Sequence, residues 1–187
     1  MIEDIGKKEN GGVVMKQSFN AEWEDIHSTQ EWGAYPSEHI IRFIARNYYK
    51  LERSNVKILD FGCGAGAHAW YLAREGFDVY AFDGSQSAIK RAQARLEREG
   101  LSAYLKVADA LDTGYPDDFF DAVVDNFCVY SNLTEGVLAG RGITHFYSEE
   151  ELKTLLSQTG FHDIHIDTIL YTDNQNQVEQ YIARAAK

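Results

Sequence analysis

Positive charge and cysteine are both scarce in this chain, and each shortage excludes something. Lys and Arg number 18 against 29 Asp and Glu, a formal net charge of −11. Such a chain repels phosphate backbones at long range, which argues against nucleic acid as a partner. Lys90, Arg91, Arg95 and Arg98 do cluster on one predicted helix, and they read as its solvated face. The two cysteines, Cys63 and Cys128, make no disulfide framework and have no metal-ligand spacing. A reducing, cytoplasmic setting and no bound metal are therefore expected. No apolar run approaches the roughly 18 residues of a membrane span. The first residues lack the apolar core and small-residue cleavage site of a signal peptide. No internal repeat is present.

What is present fits one domain with a real core, since 187 residues carry 44% hydrophobic side chains. Residues 1–17 are polar and glycine-containing and are expected to be a disordered tail, leaving 18–187 as the domain. Phe19 to Trp32 suggests a short helix. Pro36 sits at the start of a second, with Ile40, Ile41, Phe43 and Ile44 at helical spacing. From Val56 the chain alternates. Strands are expected at 56–61, 77–82, 103–108 and 119–127, with helices at 65–74 and 85–99 that end on Gly76 and Gly100. This order predicts an α/β fold, a Rossmann-like and mostly parallel sheet flanked by helices. Ser148 and Glu151 read as a capping box for a helix to Gln158. The stretches 163–171 and 178–185, joined by a short polar turn, predict a C-terminal antiparallel hairpin.

The stretch Val56-Lys57-Ile58-Leu59-Asp60-Phe61-Gly62-Cys63-Gly64-Ala65-Gly66-Ala67-His68 carries the chemistry. A strand runs into glycines that remove Cβ atoms where a chain must turn and approach a ligand. The helix that follows offers free N–H groups and a positive dipole end. Gly62, Gly64 and Ala67 also satisfy the dinucleotide spacing, so the loop alone fits several nucleotides. Three acids narrow the choice. Asp60, Asp83 and Asp109 each fall at the carboxyl end of a predicted strand, where open α/β sheets bind ligands. A nicotinamide enzyme needs Asp83 for a ribose but has no use for Asp60 or Asp109, whereas an acidic wall suits a cationic ligand.

DFGCGAGAHAWYLAREGFDVYAFDGS and VADALDTGYPDDFFDAVVDNF resemble, in order and spacing, the four motifs of class I S-adenosylmethionine-dependent methyltransferases. The resemblance implies S-adenosyl-L-methionine as cofactor and methyl transfer to a small-molecule acceptor. It implies that Asp60 and Gly62 face the methionine portion and that Gly64 and Gly66 allow close backbone approach. Asp83 would accept from the ribose hydroxyls, Gly84 and Ser85 would line the adenosine, and Asp109 with Ala110 would meet the adenine amino group. Asn126 would lie near the methyl donor. Trp32 or Tyr35 would pack on the sulfonium or simply cover the sheet. Candidate bases are His145, Tyr130, Tyr147 and His39. A non-catalytic S-adenosylmethionine-binding protein and a nicotinamide oxidoreductase are the alternatives. The family's fifth strand and its helix have no counterpart between Ser131 and Tyr147. A segment is then missing from the sequence, or the sheet is shortened with the hairpin beside its fourth strand, or a second copy covers the open edge as a homodimer.

Overall fold

The computed structural model describes residues 18–31, 33–126, 128, 149–158, 162–173 and 176–186. Its centre is strand β1 (Lys57–Phe61), whose three middle residues, Ile58, Leu59 and Asp60, are all buried. A strand buried on both faces belongs inside a parallel sheet covered on both sides. β1 pairs in parallel with β2 (Asp78–Asp83) on one side and β4 (Ala122–Asp125) on the other, and β2 pairs with β3 (Tyr104–Val107). The order is β3-β2-β1-β4. The chain therefore builds outward from β1 and then returns to its far side. That reversal leaves a crevice at the carboxyl ends of β1 and β4, the place where doubly wound sheets bind ligands.

Helix α1 spans Glu22–Thr29 and α2 spans Glu38–Tyr48. α3 (Ala67–Arg74) links β1 to β2, and α4 (Gln86–Arg98) links β2 to β3. Ile40 and Ile44, one turn apart on α2, join Ala69 and Leu72 of α3 and Ile58, Val79, Ala81 and Val124 of the sheet in one buried core. On the opposite face Tyr80 stacks on Tyr104, and Tyr115, Phe119 and Phe120 meet it edge-on. Phe119 and Phe120 were expected in the fourth strand but belong to this ring cluster instead. Asp118 turns the chain at a positive φ of 54°, and Asp121 pairs with Lys57 through both its N–H and its carboxylate, so the strand begins at Ala122.

The chain divides into two compact units after Thr144. In the second, helix α5 (Glu149–Gln158) packs on β5 (His162–Asp173), which pairs antiparallel with β6 (Asn176–Ala186) in a two-stranded sheet of its own. The predicted hairpin is there, with Asp173 opposite Asn176. The predicted tail, the cap residue Ser148 and the stretch 131–147 lie outside the described residues.

Candidate functional site

Gly66 is where the loop becomes a helix. It caps α3 in the left-handed conformation, φ 77°, and a Cβ there would stand 2.7 Å from the Ala92 Cβ on α4. Only glycine meets both demands, a positive φ and close contact between helices. The loop is tied back by Cys63 N–H to the Phe82 carbonyl, 2.9 Å. Burial pushes the Cys63 thiol up, with Asp60 and Asp83 adding to the shift.

The structure brings the three acids to one edge but gives them different surroundings. Asp83 accepts from Gly64 N–H at 2.9 Å and from Ser85 N–H at 2.8 Å, so it aligns the loop with the start of α4 and keeps further lone pairs. Asp109 holds four hydrogen bonds, from Ser18 N–H and hydroxyl, Phe19 N–H and Leu111 N–H. Burial raises its pKa, but these donors outweigh burial and leave it lowered. Asp60 is only 1% exposed. Its Oδ2 accepts from Ala69 N–H at 2.9 Å and its Oδ1 lies 3.8 Å from His68 Nδ1. The resemblance has Asp60 facing the methionine portion; in the structure its carboxyl is buried between β1 and the start of α3.

His68 and Asn126 join this group. Ser37 N–H donates to His68 Nε2, 3.1 Å, which places the neutral ring's proton on Nδ1, toward Asp60. Burial holds His68 at about 4. Burial first, then the Asp125 and Asp83 charges, push Asp60 up to about 7 against the Ala69 N–H. Asn126 accepts from the Ser37 hydroxyl at 2.9 Å and hydrogen-bonds His39, whose pKa burial lowers. The start of α2 is thus fastened to the first turn of α3 and to the end of β4.

Segment 18–31 contributes what sequence reading missed. The Glu24 carboxylate binds the Ser85 hydroxyl, the Ser87 hydroxyl and Ser87 N–H at the start of α4. Those bonds, the Ser85 hydroxyl first, pull it down to about 2. His27 is 4% exposed and lies over Gly64, and its Nδ1 has no partner among the described residues. Burial keeps its pKa low, opposed by Asp83. Glu24 and His27 lie one turn apart on α1, a spacing that gives no hint of which strand ends they cover.

Gly62, Gly84, Ser85 and Ala110 all lie on this carboxyl edge, in the turns after β1, β2 and β3. Tyr35 does not join them. It stands 84% exposed, because Arg95 grips the Gly33 and Ala34 carbonyls and holds that turn out over α4. Trp32, Tyr130, His145 and Tyr147 lie outside the described residues. No group of three or more His, Cys, Asp or Glu among the described residues could hold a metal, and no described helix is long and apolar enough to cross a membrane.

The family described as a methyltransferase domain matches residues 58–141. A ubiquinone biosynthesis O-methyltransferase of Rickettsia felis is 35% identical over 88 residues, 46% of this chain and 34% of the relative. The EEF1A lysine methyltransferase 2 of Mus musculus is 31% identical over 124 residues, 65% of this chain and 50% of the relative. The chain spans about a third of the Rickettsia enzyme and half of the mouse one. Among solved structures, magnesium protoporphyrin IX methyltransferase of Synechocystis with bound SAM superposes at TM-score 0.59, with 17% identity, covering 80% of this chain and 79% of that one. A structure from work on thioacetal formation in echinomycin biosynthesis gives 0.65, again at 17% identity, with 89% and 91% covered. Strand order, glycine loop and these likenesses agree: the chain has the class I S-adenosylmethionine-dependent methyltransferase fold, with the methyltransferase-domain match in residues 58–141.

Proposed function

We propose that the chain binds S-adenosyl-L-methionine and transfers its methyl group to a small-molecule acceptor. The observation that carries this is the carboxyl edge itself: a glycine loop under a helix start, with Asp83 ending β2 and Asp109 just past the end of β3 in the same sheet. The residues fit the group. Gly64 leaves its backbone open with no Cβ, Asp83 has acceptor capacity for ribose hydroxyls, and Asp109 would offer a carboxylate to an amino donor that takes the place of its Ser18 or Phe19 donors. Asp83 and Asp125, whose charges both act on Asp60, make a negative field that suits a cation.

When bound, the cofactor supplies a methyl group already activated on a sulfonium. The chain's part is to orient, to exclude water and to handle the acceptor's proton. Gly62, Gly64 and Gly66 would admit the methionine end, Gly84, Ser85 and Ala110 would line the adenosine, and Asn126 would lie toward the donor. His39, hydrogen-bonded to Asn126 and with its pKa lowered by burial, is a candidate to take a proton from a hydroxyl or amine. His145 and Tyr130 are the further candidates. The net charge of −11 favours a small acceptor over RNA, although similar proteins include both small-molecule and ribosomal RNA methyltransferases by name.

Calorimetric titration with S-adenosylhomocysteine, beside NAD, tests this. One-to-one binding of S-adenosylhomocysteine, weakened at least about tenfold in a folded Asp83→Ala variant by the loss of charge-assisted hydrogen bonds, is the expected result. Binding of NAD instead would overturn it.

A further inference from the structure

The cofactor reading gives Asp109 to the adenine amino group and has Gly84 lining the adenosine. In the structure both are taken by residues of the same chain. Asp109 Oδ2 accepts from Ser18 N–H at 2.7 Å and Phe19 N–H at 3.0 Å, and Oδ1 accepts from the Ser18 hydroxyl at 2.7 Å and Leu111 N–H at 2.9 Å. A carboxylate has about four acceptor sites, so this one is fully subscribed. An incoming amino group binds it only by replacing one of these donors. The Phe19 ring lies against Gly84 so closely that a Cβ there would stand 2.0 Å from Cδ2 and 2.4 Å from Cγ. A flat aromatic ring with N–H donors at its edge is also a fair description of adenine.

We propose that Ser18 and Phe19 are a built-in plug of the adenine end of the site, which the cofactor's base must displace. The inference rests on the S-adenosylmethionine reading. The plug is a short non-helical stretch before α1, and α1 has its own anchorage through Glu24 on Ser85 and Ser87. Residues 18–20 can therefore swing out while the helix stays docked. A ligand that binds only the open form has its apparent affinity reduced by the open fraction, so weakening the plug tightens binding.

The test uses the full chain and S-adenosylhomocysteine. Phe19→Ala and Ser18→Ala should bind it tighter than the native chain, by roughly tenfold if the open form is about a tenth of the population. Gln30→Ala, on the exposed end of α1, should not change it. Equal or weaker binding by both plug variants, with melting temperatures near native, overturns the plug and makes the segment a wall of the site. Amide exchange on the native chain gives a second readout that needs no substitution. Ser18 and Phe19 amides should be protected in the free protein and lose protection on adding the ligand. Protection that stays or grows overturns the proposal. Binding by the variants but not by the native chain supports it. Absence of binding throughout overturns the cofactor reading on which it stands, and protected Ser18 and Phe19 amides in the free chain would then show that the contact itself is real.

Discussion

At the residue scale, Asp60 and His68 have exchanged the roles that water assigns them. An ordinary Asp at 3.8 and His at 6.5 form an ion pair between those values, but here Asp60 is raised to about 7 and His68 lowered to about 4. Folding therefore moves one proton from the imidazole to the carboxyl and changes the number bound by the pair very little. The two linkage terms oppose each other. His68, neutral in the fold and protonated in the unfolded chain between about 4 and 6.5, makes stability rise with pH. Asp60, protonated in the fold and ionised in the unfolded chain between 3.8 and about 7, makes it fall. Each variant should expose the partner's slope. Relative to the native chain, Asp60→Asn should gain stability as pH rises through that window, and His68→Asn should lose it. Each slope has an upper limit of about 1.4 kcal/mol per pH unit. Urea unfolding across the window measures both, and parallel profiles for the three proteins would refute the account. The pair was half legible: Asp60 stood out at a strand end, but His68 reads as an ordinary helix residue until α2 lays Ser37 N–H against it.

At the scale of elements, the loop and its two helices behave as one piece. Gly66→Ala would force a left-handed alanine and drive its Cβ to 2.7 Å from Ala92 Cβ and 3.0 Å from Ala92 Cα. The strain and the overpacking together should cost about 3 kcal/mol. A thermal melt of the variant should fall by several degrees, while an unchanged melt would mean that α3 and α4 can separate freely. Strand and helix existence was legible from the apolar runs and closing glycines, because those signals are local. The start of β4 was not, because the Phe119 and Phe120 rings satisfy an apolar pattern whether they lie in a strand or on a neighbouring ring cluster. α1 was visible as a helix, but nothing in its spacing foretold that Glu24 and His27 would lie over α4 and the glycine loop.

At the scale of the whole molecule, the excess of 29 acids over 18 bases works against compactness as well as against nucleic acid. Salt screens that repulsion over about a Debye length. The melting temperature should therefore rise by about 2 °C or more between low and moderate ionic strength, the shift that roughly 1 kcal/mol produces at this size. A fall would mean that specific ion pairs, not net repulsion, dominate. Among the described residues the pairs formed by lysine or arginine are few, and of these Arg53 with Glu75 is more than half buried at both ends.

The sequence by itself determined the α/β class, the strand order's beginning, the glycine loop, the acids at strand ends and the C-terminal hairpin. All of these are set by local periodicity, by backbone freedom at glycine and by the rule that parallel sheets bind at their carboxyl edge. Only the tertiary structure decided what each acid can do. Asp60 is sealed under α3, Asp83 aligns two backbone N–H groups, and Asp109 is covered by Ser18 and Phe19, 90 and more residues away in the chain. Burial and hydrogen-bond occupancy are properties of the neighbours a side chain meets, and those neighbours come from distant parts of the chain that no spacing within a motif can name.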